Sequence, residues 1–367
     1  MFIQLMILRL PLNYKPGLNL KTTIVVILTL LLFNTDSFTS TISGGNNCDR
    51  INDGPYIYQV NNKLKAQWVE DGVYRQELIS PVNFFKLKET FRFSFDYRDL
   101  TDTWRLEPRH NHNYIGADSI SVISDLHGNY GAYTDLLRGA GVIDENLNWN
   151  FGKGHLVVLG DIFDRGRMVT EILWHLFGLE KQAAKAGGKV HIVLGNHEFM
   201  VLQNNLCNIN EKYRKVEEIC GSCYANFFSG ETVLGRWLRS KPVVITINDI
   251  IFVHGGISSG LIQRKIKINQ INTTLNRMLN AGSFKDNYDD EKTLKFMNGA
   301  DGPLWFRGYF DASEYSEVRI DSVLHFYNKN HIVVGHTPGR ETRSLFNNKI
   351  LGVDTGIMFD RPGEMLI

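Results

Sequence analysis

Five times between residues 119 and 336, a short run of β-branched and aliphatic residues stops at a polar cluster. Ser119 to Ile123 stops at Ser124-Asp125, His155 to Leu159 at Gly160-Asp161, and Val190 to Leu194 at Gly195-Asn196. Ile250 to Val253 stops at His254-Gly255, and His331 to Val334 at Gly335-His336. Apolar runs this short and this sharply bounded read as strands buried on both faces. Helical stretches lie between them. From Met168 to Ala186, Ile172, Leu173, Leu176, Phe177 and Leu179 recur at helical spacing, and Gly187-Gly188 ends the pattern. Alternating strand and helix predict an α/β core. Ligands of such cores bind beyond the carboxyl ends of the strands, so five polar clusters are expected to converge on one rim.

The clusters themselves are Asp125-Leu126-His127-Gly128-Asn129, Gly160-Asp161-Ile162-Phe163-Asp164-Arg165-Gly166, Gly195-Asn196-His197-Glu198, His254-Gly255-Gly256 and Gly335-His336-Thr337. Carboxylates, imidazoles and one amide oxygen make a mixed oxygen and nitrogen ligand set. Such a set suits divalent Mn, Fe or Zn and lacks the thiolates of structural zinc. His155, His175, His191 and His325 lie inside strand or helix patterns and read as core or surface residues. Cys207, Cys220 and Cys223 fall in one stretch with no zinc spacing, and in an exported chain a disulfide from Cys207 to Cys220 or Cys223 is expected. Asn272-Thr273-Thr274 is a glycosylation sequon, relevant only in a host that modifies exported chains.

The 367 residues suffice for one large α/β domain with a small appendage, and the net charge of +1 gives no global attraction to nucleic acid or anionic membrane. Residues 1–44 are read as a signal peptide or N-terminal anchor. The apolar run Thr22 to Phe33 follows Lys15 and Lys21 and is too short for a comfortable transmembrane helix. No lipobox precedes Cys48. Secretion or periplasmic export is therefore expected, with anchoring by an uncleaved leader as the alternative and the sole expected membrane contact. Residues 45–116 are read as a β-rich extension, because Tyr56 to Val60, Ala66 to Val69 and Phe91 to Phe95 alternate and are split by turn residues. Residues 117–367 form the main domain, with a helical insertion over 207–237. A hairpin is expected around Asn347-Asn348, and the chain is expected to be a monomer.

Taken in order, D-x-H, G-D-x-x-D-R-G, G-N-H-E, H-G-G and G-H-T resemble the calcineurin-like metallophosphoesterase superfamily from about Ile120 to the C-terminus. D-R-G and G-N-H-E are similar to its phosphoprotein phosphatase branch. The leader, Pro303-Leu304-Trp305-Phe306-Arg307 and the final G-H-T look closest to Shewanella-like protein phosphatases. Many relatives end in G-H-x-H; here Thr337-Pro338 follows His336, which points away from nucleases and phosphodiesterases.

The resemblance implies a four-layer α/β/β/α sandwich with mixed sheets, and a phosphomonoesterase of the protein phosphatase kind acting on phosphotyrosine, phosphoserine or phosphothreonine. It implies two divalent metal ions carrying a bridging hydroxide. Asp125, His127 and Asp161 would hold the first, and Asp161, Asn196, His254 and His336 the second. His197 would be the general acid, oriented by Asp164, and Arg165, Arg307 and Asn196 would bind the phosphate. Diadenosine polyphosphate hydrolases share D-R-G and G-N-H and form the rival enzyme class. A phosphate-binding protein without catalysis is the other rival, and its expected mark, a broken ligand set, is missing here.

Overall fold

The structure is a computed structural model and describes residues 7–9, 50–106, 112–280, 291–311, 313 and 315–367. The apolar run 22–33 and Cys48, on which the leader reading rests, lie outside the described residues.

Strands β1 (Ile7–Arg9), β6 (Ile120–Ile123), β7 (His155–Val158), β8 (Lys189–Ile192) and β14 (Glu364–Leu366) form one sheet in the order β1-β14-β6-β7-β8. Strands β5 (Asn113–Tyr114), β9 (Val244–Ile247), β10 (Ile250–Val253), β11 (His331–Val334), β12 (Arg343–Leu345) and β13 (Ile350–Gly352) form a second, ordered β12-β13-β11-β10-β9-β5. Both are mixed: β6, β7 and β8 run parallel while β14 opposes β6, and β10 is parallel to β11 but antiparallel to β9. Successive side chains alternate between faces. Val122, Val157, Val193, Ile245, Phe252 and Val333 fill the layer between the sheets. Leu156, Val158, Ile192, Ile251 and Ile332 belong to the larger outer core shared with the helices. Burial on both faces is why these strands are apolar without alternation.

Helices α1 (Phe84–Thr90), α2 (Tyr97–Asp102), α3 (Tyr130–Gly139), α4 (Val169–Ala186), α5 (Asn196–Leu202), α6 (Glu211–Cys220) and α7 (Val233–Arg239) precede β9. The expected helix ending at Gly187-Gly188 is α4, whose C-cap Gly187 is left-handed. Residues 207–237 contain α6, a 3₁₀ turn and most of α7, joined by short loops. The hairpin at Asn347-Asn348 also forms, between β12 and β13. No helix of the described residues is long and apolar enough to cross a membrane.

The N-terminal region contains a third sheet, the antiparallel meander β2 (Asp53–Val60), β3 (Lys63–Glu70) and β4 (Val73–Ile79). Phe91 to Phe95 is not one of its strands. Arg92 takes φ of 53°, which breaks the extended course, and the rings of Phe93 and Phe95 instead stack on each other and pack against Trp174 of α4. The aromatic alternation came from inward-pointing loop residues rather than from a pleat. Tyr56, Ile57 and Ala66 join the same outer core as α4 and α6, so the meander shares its apolar interior with the main body. The edge of β2 is covered by the segment before α7: Gln59 donates its N–H to the Glu231 carbonyl.

Two further expectations change. Cys207, Cys220 and Cys223 are free thiols, and Cys223 donates to Asn204 Oδ1 instead of pairing. Asn272 is buried; its amide accepts from the N–H groups of Val243 and Val244 and donates to the Val244 carbonyl. This sequon therefore ties a helix to β9 and offers no surface for a glycan.

Candidate active site

All five clusters leave the carboxyl ends of β6, β7, β8, β10 and β11, and backbone hydrogen bonds lash their loops together. Asp125 N–H donates to the Gly160 carbonyl at 3.1 Å, His127 N–H to Asp161 at 2.8 Å, and Gly335 N–H to His254 at 2.9 Å. The turns that follow the strands take an unusual backbone. Asp125, His127, Asp161, Asp164, Arg165 and His336 all have φ between 43° and 71°. Each such residue other than glycine costs on the order of 1–3 kcal/mol, and such strain gathers where function over-determines geometry. Gly160 must be glycine: at φ of 79°, a Cβ would lie 2.3 Å from Gly195 N.

The histidines share one design. His127 donates Nδ1–H to the Phe163 carbonyl at 2.8 Å, His254 donates Nδ1–H to Leu159 at 2.6 Å, and His336 donates Nε2–H to Trp305 at 3.2 Å. A backbone carbonyl fixing one ring nitrogen leaves the other as a directed lone pair, the usual preparation of a metal ligand. His254 Nε2 lies 2.9 Å from Asn196 Oδ1 and 3.2 Å from Asp161 Oδ2, while His127 Nε2 lies 3.8 Å from the same Asp161 oxygen. Two groups of buried ligand atoms result, His127–Asp161–His197 and Asp161–His254–His336, with Asp161 common to both. Asp125 stands beside them, accepting at Oδ2 from Ser124 Oγ and from His336 N–H.

Burial discourages charge on His254, but Asp161 and then Asp125 outweigh it and carry the ring up to about 10. A positive charge is thus favoured where these oxygens converge. Burial pushes His127 down to about 4 and also depresses His336, which keeps both rings neutral and able to ligate. His197 differs. Burial opposes its charge too, yet the Asp164 carboxylate, 2.5 Å from Nδ1, and then Asp161 raise its pKa above the ordinary range. The geometry sets His197 apart: a carboxylate holds its Nδ1 where backbone carbonyls hold the other three rings, which suits it to carry a proton, and its Nε2 lies 3.8 Å from Asp161 Oδ2. The donor set, its carbonyl-fixed histidines and its excess of carboxylate oxygen fit a divalent metal.

Arg165 and Arg307 are both exposed. The Arg165 charge reaches His127 and the Arg307 charge reaches His336, so each guanidinium acts on a different histidine of the ligand cluster. Arg307 is carried there by the 303–307 segment, whose Pro303 carbonyl accepts from Gly255 N–H at 2.8 Å.

Two buried carboxylates were assigned no role from the sequence. Glu198 accepts from four backbone N–H groups: Asp161 at 2.8 Å, Ile162 at 2.7 Å, Phe163 at 3.3 Å and Gly195 at 2.7 Å. It holds the β7 and β8 loops in register. Its place, third in a helix that starts with G-N-H-E, is the available sequence signal. Asp354 follows β13, raises Asp125 electrostatically and accepts from Gly356 N–H. It ends a strand as the five clusters do.

The calcineurin-like phosphoesterase profile matches residues 119–340, which is more than half of the chain. The chain belongs to the calcineurin-like phosphoesterase family. This calcineurin-like phosphoesterase is 32% identical over 262 residues to Shewanella-like protein phosphatase 1 of Plasmodium berghei, covering 67% of this chain and 69% of that protein. It superimposes on the cold-active protein-tyrosine phosphatase of a psychrophilic Shewanella with a TM-score of 0.74 at 32% identity, covering 86% of this chain and 94% of the other. A symmetrical bis(5'-nucleosyl)-tetraphosphatase of Chromobacterium violaceum aligns over 140 residues, 38% of this chain and 43% of its own, at 29% identity. The protein is a metallophosphoesterase, a hydrolase with phosphatase activity, built on the expected mixed α/β fold.

Proposed function

We propose that this phosphoesterase is a protein phosphatase that cleaves phosphomonoesters of tyrosine, serine or threonine side chains. The observation that carries the reading is the His197–Asp164 pair, an imidazole 2.5 Å from its carboxylate and facing the shared Asp161. Asp125, His127 and Asp161 would hold one divalent ion, and Asp161, Asn196, His254 and His336 a second, the ions being Mn, Fe or Zn. Such ions supply Lewis acidity toward the phosphoryl oxygens and a water acidified enough to attack phosphorus. Arg165 and Arg307 grip the phosphate, since a planar guanidinium matches two phosphoryl oxygens at once. Asn196 adds its amide to the phosphate's surroundings. His197 delivers its Nε2 proton to the departing side-chain oxygen, while Asp164 keeps Nδ1–H fixed and stabilises the cation before transfer.

We place the enzyme outside the cytoplasm, exported or held by the apolar 22–33 segment. That reading rests on the leader sequence alone, because the described cysteines are free. A substrate panel tests the proposal. The Mn-supplemented full chain is expected to hydrolyse phosphotyrosyl or phosphoseryl peptides and p-nitrophenyl phosphate, and to leave a phosphodiester intact. Preference for a dinucleoside tetraphosphate over every phosphopeptide contradicts it.

A further inference from the structure

The loop that carries Arg165 draws on more than its own turn, in which Gly166 N–H donates to the Asp164 carbonyl at 2.7 Å. Arg165 is exposed and has φ of 64°, a costly conformation for a long side chain. Its backbone is held from outside the motif. Arg165 N–H donates to the Asn208 carbonyl at 3.0 Å, and Asn210 Nδ2 donates to the Arg165 carbonyl at 2.7 Å. Two residues on, the Arg167 carbonyl accepts from Lys212 Nζ at 2.7 Å and from Tyr213 Oη at 3.0 Å. Asn210 caps α6, and Lys212 and Tyr213 lie in its first turn. One helix end thus grips both ends of the Arg165–Arg167 stretch.

Lys212 is itself held from a distant part of the chain. Its ammonium is buried and lies 2.7 Å from Asp53 Oδ1, on the first residue of β2, and 3.3 Å from Glu171 Oε1. The Asp53 side chain is fully buried. Its other oxygen accepts from Tyr56 Oη and, at 3.4 Å, from Thr170 Oγ1. Removing one partner of a buried pair leaves an uncompensated charge, so this contact is strongly constrained. The same strand reaches the histidines by packing. Tyr56 meets Phe228 edge-on, Phe228 meets Phe163 edge-on, and the Phe163 carbonyl fixes His127.

We infer that the N-terminal sheet is a positioning element of the phosphate site: Asp53 fixes Lys212, and Lys212, Tyr213 and Asn210 fix the backbone that aims Arg165. The inference rests on Arg165 binding phosphate, as proposed above. It assigns the 53–79 meander a catalytic-support role. A surface docking module would have no reason to bury an aspartate against the arginine loop.

The test uses the full chain loaded with Mn, p-nitrophenyl phosphate as substrate, and calorimetric titration with inorganic phosphate. Asp53→Asn is expected to raise KM and weaken phosphate binding about tenfold, with kcat falling less. Asn210→Ala removes one tether at the surface without creating a buried charge, so it is read even if the Asp53 variant does not fold. It is expected to weaken phosphate about threefold. Asp53→Asn combined with Lys212→Gln restores a neutral hydrogen-bonded pair and is expected to recover most of the affinity. In an Arg165→Ala background, Asp53→Asn is expected to add nothing. Arg165→Ala with unchanged phosphate affinity removes the role given to Arg165 and the inference with it. A weakened Arg165→Ala beside unchanged Asn210→Ala, or beside a folded Asp53→Asn with unchanged affinity, overturns the inference alone.

Discussion

Two groups of histidines occupy this sandwich, and the charges and backbone around them differ. At the carboxyl rim, His127, His197, His254 and His336 surround Asp161, with His127 and His336 at positive φ. Away from the rim, His191 and His155 sit in regular strand, 3.1 Å apart through their ring nitrogens, with His112 close by. Around His197 and His254 of the first group the leading charges are carboxylates. Around His191 they are Lys189 and Lys241, and Glu180 is taken by Lys241 at 2.8 Å and by Trp237. Asp161 and Asp125 drive His254 up to about 10, whereas burial, His155 and the lysines depress His191. Histidine clustering is therefore no sign of a metal site by itself. Carboxylate company and a carbonyl fixing the opposite ring nitrogen make the difference.

The largest way to break the comparison is to remove the shared carboxylate. Asp161→Asn is expected to cut phosphomonoester turnover at least about a thousandfold, and chelation of the wild type to do the same. Steady-state assays before and after metal replenishment check this. Next, His197→Ala is expected to lower kcat by about 10²–10⁴ while metal content stays unchanged, which elemental analysis can verify. Equal activity in that variant would refute the proton-donor role and spare the ligand assignment.

Glu198→Gln probes the frame between these groups. One carboxylate serving four amides is worth more than ordinary neutral bonds, so a stability loss of about 2–3 kcal/mol is expected in urea unfolding. The smallest effect belongs to the second histidine group. His191→Gln is expected to leave turnover within about twofold. Its signature is in stability against pH. The folded-state pKa of His191 is depressed, so below the ordinary histidine value of about 6.5 the unfolded chain binds a proton that the folded one refuses. Stability is full above that value and falls as the pH drops, by up to about 1.4 kcal/mol per unit for this proton. The variant should flatten that slope, and a wild-type slope unchanged in His191→Gln would contradict the account.

The same contrast explains what could be read without coordinates. The rim was legible because each buried strand is a short apolar run broken by a polar cluster, and because strand ends in α/β layers face one way. His155, His175 and His191 were legible as core or surface residues because they interrupt no pattern, and His191 is the buried one of the three. Glu198 was not, since its partners are backbone amides around Asp161, 35 to 37 residues away, and amides leave no mark in a sequence. Asp354 was hidden by the neighbouring hairpin. Strand β4, Val-Tyr-Arg-Gln-Glu-Leu-Ile, escaped notice because it is largely exposed and polar. Asp53 escaped because its partner Lys212 belongs to another part of the chain.

Metal titration of the intact protein tests the central claim most directly. With Mn or Zn followed by calorimetry, the account predicts two ions per chain, loss of binding in Asp161→Asn, and unaltered binding in His191→Gln. A wild-type chain that takes up no divalent ion, or that binds as well in Asp161→Asn, would contradict it.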